Sequence, residues 1–328
     1  MITFLGVVFS MLSAASFGFN NVATRRTVLA ASATLAVYAS SIIGLPLFMM
    51  VALISGEIFR AGEVSPIGYF WLAMSGIVHF ILGRYCNYKA IAAIGSNRSQ
   101  PISASNLLFT FALSMIFLGE QPQWRTIIGA ALIMAGPLVS LRRRSAPVAV
   151  AAATGAGVGA APGRAQPPVR LLEGYVFGLL AAACYGSSPA LVKLGLAGAN
   201  LPVWGATVSV GAALSVLLLS LLRPGQVGHV MGNVMWWGNR DEKRRWQNAP
   251  ATWVLIGALT IAAAQLFRYL AIGAMDVTVS APLISTVGVW SVLFSWLFNR
   301  HVESFNRSVL LGVALSVVGS IVLVAPLG

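Results

Sequence analysis

The chain has 328 residues, 58% of them hydrophobic and 9% charged, with a mean hydropathy of +0.83. A soluble domain carries about a quarter charged residues, so a cytosolic enzyme, a secreted disulfide scaffold and a disordered chain are excluded. Against 8 Asp and Glu stand 21 Lys and Arg, a formal net charge of +13, and where those positives fall decides between a nucleic-acid surface and a membrane topology signal.

A transmembrane helix takes about 20 mostly apolar residues to cross about 30 Å of hydrocarbon. In chain order, spans are predicted at 2–22, 29–55, 68–92, 97–118 and 124–141, then at 171–194, 202–222, 251–274, 277–298 and 307–326. The first does not read as a signal peptide, because no positive charge precedes its apolar run. Between the fifth and sixth, residues 142–170 are rich in Ala, Gly and Pro with Arg at both ends, the composition of a flexible linker. Residues 223–250 set Trp236, Trp237 and Trp246 beside Arg240, Lys243, Arg244 and Arg245. That mixture suits an interfacial segment at the lipid headgroups or a plain loop. The fold expected is an all-α membrane protein of ten transmembrane helices, with residues 1–141 and 171–328 as its two halves.

Polar side chains at membrane depth cost several kcal/mol unless they face a partner or a cavity, so each is a candidate site residue. In span three, His79, Gly83 and Asn87 fall at helical spacing on one face, with Arg84 and Tyr88 beside it. Span four opens on Asn97-Arg98-Ser99-Gln100-Pro101, with Ser103 and Ser105 following. Its N-terminus favours an anionic group, or the residues simply serve helix entry. In span eight, Gln265, Arg268 and Tyr269 lie at i, i+3 and i+4. Arginine offers a planar fork suited to carboxylate or phosphate, and tyrosine a face and a hydroxyl to orient a ligand. The bland alternatives are arginines snorkelling to the interface, tyrosines in an aromatic belt and a histidine satisfied by a carbonyl. Span nine opens on Thr278, Ser280 and Pro282. Glu120 and Glu303 follow their spans directly and are expected in water or capping spans five and ten. Cys86 and Cys184 lie far apart, and His79, His229 and His301 are scattered, so neither a metal nor a cofactor is expected.

The halves repeat. Gly6-Val7-Val8-Phe9 aligns with Gly174-Tyr175-Val176-Phe177, a shift of 168, and carries Phe17-Gly18 onto Tyr185-Gly186 and Arg25 onto Lys193. Tyr88, Ala90 and Pro101 meet Tyr269, Ala271 and Pro282 at a shift of 181; Glu120, Gly129 and Gly136 meet Glu303, Gly312 and Gly319 at 183. At 181, Arg84 also corresponds to Gln265 and Asn87 to Arg268. With five spans per copy, the second enters the membrane inverted, an architecture of secondary transporters with the site near the midplane between repeats.

The block from Gly83 to Gly136 resembles the EamA-type repeat of the drug/metabolite transporter superfamily. The resemblance rests on Tyr88 and Ala90 closing span three, Pro101 early in span four, Phe117 to Glu120 at its exit and the glycine-spaced fifth helix, echoed in the second half. It implies two inverted five-helix bundles around a central cavity lined by spans three, four, eight and nine, in a bacterial cytoplasmic membrane. The small multidrug pumps of that superfamily carry a membrane glutamate in span one, whereas Phe4 to Asn20 contains no acid. Every acidic residue lies at a span end or in a loop, which disfavours a proton-coupled pump for cationic drugs.

The function expected is secondary export of a small neutral, zwitterionic or anionic metabolite or drug. The alternative is a flippase for a phosphate-bearing lipid-linked substrate, with Arg84 and Arg268 on the phosphate. An enzyme is not expected, for want of clustered acid, base or metal ligands. Partners expected are the solute and membrane lipids, with no nucleic acid, and a monomer as functional unit. The loop positives put both termini outside by the positive-inside rule, whereas the resemblance implies cytoplasmic termini. The sequence leaves that orientation open.

Overall fold

The computed structural model describes residues 4–28, 33–94, 102, 105–141, 171–221, 251–298 and 307–324, which form helices and short turns with no strand among them. The linker 142–170, the loop 223–250, Asn97, Arg98 and Ser103 lie outside the described residues. Span one is α1 (Phe4–Val28) and span two α2 (Ala33–Ile54). A 3-10 turn, Glu57–Glu63, then leaves at 87° to the end of span two. Span three starts where Ser65 Oγ accepts the Gly68 amide at 3.1 Å and Pro66 takes the first helical position, both standard helix-start chemistry. It runs as α3 (Pro66–Gly76), a π-helical segment (Ile77–Gly83) and α4 (Arg84–Ile94). Spans four and five are α5 (Asn106–Leu118), ended by left-handed Gly119, and α6 (Trp124–Leu141).

The second half gives α7 (Leu171–Gly195), α8 (Pro202–Leu221) and α9 (Ala251–Ala274) as spans six to eight. Span nine is broken into α10 (Val277–Ile284) and α11 (Val287–Phe298), and α12 (Arg307–Val324) is span ten. The break follows Pro282, which lacks an amide to donate. There Ser285 Oγ and Thr286 Oγ1 donate to the carbonyls of Ala281 and Leu283 at 2.9 and 2.7 Å. Among the described residues, five helices are long and apolar enough to cross a membrane. The bent pair ending in the 3-10 turn, and the shorter apolar helices at Phe4–Asn20, Asn106–Leu118, Trp124–Gly136 and Leu310–Val324, fill the other predicted positions. Large apolar side chains face outward on most of them, among them Ile116 at 72% exposure, Leu219 at 62% and Ile321 at 62%. Water would not tolerate so much exposed apolar surface; lipid does.

The two halves pack by exchange. Helix α1 lies on span eight and on span nine, and α7 lies on the equivalent spans three and four. Spans five and ten pair with each other, as do spans two and seven. Glycines at the crossings repeat the same exchange. A Cβ on Gly18 would meet Trp290 and the Ser291 backbone, and one on Gly186 would meet the equivalent Phe109 and Thr110. A Cβ on Gly129 would sit 2.8 Å from Gly319 O, and its counterpart contact joins Gly136 to Gly312 O. Ten transmembrane helices in two inverted five-helix repeats therefore interlock around a pseudo-twofold axis. The larger buried apolar cluster, including Phe48, Leu72, Phe80, Val192, Leu201 and Tyr269, fills the space among spans two, three, six, seven and eight.

Candidate functional site

Span eight presents Gln265, Arg268 and Tyr269 to spans three and six, one helical turn apart, so that their side chains converge. All three are buried, at 3%, 5% and 1% exposure. Arg268 Nη1 donates to Gln265 Oε1 at 3.0 Å, and Nη2 donates to Ser188 Oγ of span six at 2.7 Å. The guanidinium carbon stands 5.8 Å from the centre of the Tyr269 ring. Ser188 Oγ lies 3.0 Å from Ser75 Oγ of span three, and Tyr269 shares hydrogen bonds with Ser75 and Ser209. Ser209 of span seven in turn donates to Leu72 O at 2.7 Å.

On its other side Gln265 places Nε2 at 3.4 Å from His79 Nε2. The Gln265 oxygen already accepts from Arg268, so its nitrogen is the donor and His79 Nε2 the acceptor. That fixes His79 as a neutral imidazole with its proton on Nδ1. The Nδ1 atom is buried and has no hydrogen-bond partner among the described residues. Its ring meets Tyr185 edge-on at 5.1 Å, a closeness that span six reaches because a Cβ at Gly83 would lie 2.8 Å from the Tyr185 ring.

A continuous network therefore runs from Tyr269 through Ser75, Ser188, Arg268 and Gln265 to His79, crossing between the repeats at several points. It unites four of the residues singled out in the sequence: His79, Gln265, Arg268 and Tyr269. Asn87 is also buried, at 1% exposure, one helical stretch beyond the network on span three. Arg84 stays half-buried with its guanidinium 5.4 Å from the Phe80 ring centre, outside the Arg268 network. Tyr88 lies on α4, but its side chain is not among those described; Asn97 and Ser103 are outside the described residues altogether.

Several alternatives from the sequence give way. Arg268 does not snorkel and Tyr269 does not join an aromatic belt, because the inter-repeat packing encloses both. The even helical spacing of His79, Gly83 and Asn87 does not hold, since Ile77–Gly83 is π-helical and the wider turn reorients the residues it contains. Such π segments recur at functional sites. Ser75, Ser188 and Ser209 were not foreseen; the only signal was a Ser-Ser-Pro run (Ser187 to Pro189) inside an apolar span.

The arrangement has a clear chemical imbalance. A buried guanidinium cannot shed its proton and costs several kcal/mol unless an anion or dense hydrogen bonding compensates it. The described partners of Arg268 are neutral oxygens and an aromatic face.

One end of the molecule is tied differently. Glu120, expected in water or on span five, instead accepts the Val277 and Thr278 amides of span nine at 2.8 Å each. Asp276 holds the helix-start position there but makes no capping bond with its side chain. Lys193, the repeat counterpart of Arg25, donates to Ile272 O and Met275 O at 2.8 and 3.0 Å, closing the C-terminus of span eight. Glu57 accepts the Trp204 amide at 2.8 Å, and Trp204 Nε1 donates to Tyr69 Oη at 2.9 Å. Acids of the first repeat thus cap two helices of the second.

Comparison with known proteins agrees with this architecture. The model of the EamA-like transporter family matches residues 4–142 and 172–325. No curated protein matches. A crystal structure of a protein 17% identical in sequence superposes with a TM-score of 0.66, covering 97% of this chain and 96% of its own. At that identity the likeness is one of fold.

Proposed function

The chain belongs to the EamA-like transporter family, and from that membership we propose that it exports a small metabolite or drug by alternating access. In this reading the solute binds at the polar network of spans three, six and eight, and the two repeats rock about it. The observation that carries the reading is the placement of that network. It lies between the inverted repeats, where transporters of this architecture bind their solutes, and it holds a buried charge and an imidazole nitrogen without a partner among the described residues. Residues retained there at several kcal/mol of cost need a reason beyond packing.

Counterflow in proteoliposomes tests this. Purified protein is loaded with a panel of amino acids, nucleosides and organic acids, and uptake of the radiolabelled counterpart is followed. Exchange of at least one solute is expected, reduced at least about tenfold by Tyr269→Phe combined with His79→Ala, which together remove a hydroxyl and an imidazole from the network. Absence of exchange for every solute would overturn the transport reading. Exchange untouched by the double variant would overturn the site alone.

A further inference from the structure

We propose that the solute is an anion, and that its carboxylate or phosphate group completes the Arg268 guanidinium. The inference rests on the transport reading above and adds the charge of what is carried. Arg268 is buried at 5% exposure, and its described partners, Gln265 Oε1, Ser188 Oγ and the Tyr269 ring, are all uncharged. A lysine could relieve such a position by losing its proton; a guanidinium cannot. In the same network His79 Nδ1 carries a proton and lacks an acceptor among the described residues. A fixed positive charge and a spare donor therefore stand in one buried cluster.

The described acids lie elsewhere. Among the described residues, Glu57 holds the Trp204 amide, Glu63 pairs with Arg60 at 2.7 Å, and Glu120 holds the amides of Val277 and Thr278. Glu173 opens span six and Asp276 precedes span nine. All five lie at span ends, away from the network. A neutral solute would leave the guanidinium uncompensated, and a cation would add a second positive charge beside it. A zwitterion brings an ammonium group for which these described residues offer no acid. A small solute of net negative charge satisfies both Arg268 and His79, and discriminates against the rest through the cost of unpaired charge.

The test uses matched pairs in proteoliposome counterflow and in thermal unfolding of the purified chain. Mono- and dicarboxylates are set against their primary amides, and sugar phosphates against the parent sugars. A short-chain phosphatidic acid in mixed micelles represents the lipid source of the same group. At least one anion is expected to exchange or stabilise while its uncharged partner does not. Arg268→Gln should weaken that anion by about tenfold to a hundredfold. Arg268→Lys should recover more of a phosphate than of a carboxylate, because it keeps the charge and loses the fork. Action by phosphatidic acid alone supports the anionic group and assigns it to lipid. Exchange of a neutral or cationic solute that Arg268→Gln leaves unchanged overturns the proposal while transport stands. If nothing in the panel exchanges or binds, the transport reading falls and this inference with it. Should Arg268→Gln fail to fold, the matched pairs on the unaltered chain decide.

Discussion

Gln265 holds two groups that would otherwise lack partners, its oxygen on Arg268 Nη1 and its nitrogen toward His79 Nε2. Two substitutions at this position separate packing from charge. Gln265→Leu keeps the volume and strips both polar ends, leaving a buried guanidinium donor without its acceptor at a cost of about 1–3 kcal/mol. Its thermal midpoint in detergent should fall. Gln265→Glu instead supplies a local carboxylate to Arg268, so the midpoint should hold or rise. An anionic solute should then bind at least about tenfold more weakly, since the chain's own acid competes for the same charge. Parallel effects of the two substitutions on stability would contradict the network. The polar members of this site were legible because charge and amide at membrane depth stand out against an apolar background. The serines that connect them were not, because a serine hydroxyl can bond its own helix carbonyl and passes unremarked in any span.

At the scale of the helix, the glycines of spans five and ten mark where two backbones touch. Cβ atoms on Gly129 and Gly319 would come within 2.8 Å and 2.7 Å of each other's carbonyl oxygen. Gly129→Ala or Gly319→Ala therefore forces the helices apart, and overpacking of this kind costs about 1–3 kcal/mol. Gly288 of α11 has nothing within 4 Å of its would-be Cβ. Gly288→Ala should be neutral or gain up to about 1 kcal/mol from helix propensity. Size-exclusion profiles after a heat step would rank the three variants, and equal losses would contradict the close crossing. The repeat of Gly129 and Gly136 in Gly312 and Gly319 was visible in the sequence, and the structure shows the physical reason for it, a contact and its pseudo-symmetric copy. The span ends were likewise readable from apolar length and from Pro and Gly. The π segment was not, because hydrophobic period barely distinguishes a widened turn within an apolar run. Nor could the capping of span nine by Glu120 be read, since it joins residues 157 and 158 positions apart whose proximity only the interlocked repeats create.

For the molecule as a whole, the two repeats are held together at one end by acids of the first on amides of the second, and Glu57 makes that tie sensitive to pH. Burial raises its carboxyl above the ordinary 4.5, and the Trp204 and Val203 amides and Arg60 offset this only in part. Glu63, six residues on along the same turn and exposed, is lowered instead by its bond to Arg60. The signs are therefore opposite. Between 4.5 and its raised value, Glu57 binds more protons in the folded chain than in the unfolded one, so its contribution is fully present below 4.5 and is lost as pH rises. The Glu63 contribution is present above 4.5 and is lost as pH falls through its lowered value. Glu57→Gln keeps an oxygen for the Trp204 amide while removing the charge that burial penalises. At neutral pH its thermal midpoint should match or exceed that of the unaltered chain, with the advantage vanishing at low pH. Glu63→Gln should lose stability at neutral pH and converge with the unaltered chain in acid. Midpoints measured from about pH 2 upward, through and below the ordinary carboxylate range, decide the matter. If the curves of both variants run parallel to the unaltered chain, these carboxyls do not titrate with the joining of the repeats. If Glu57→Gln alone shows the opposite slope, the tie at Trp204 draws its strength from the ionised acid despite its burial.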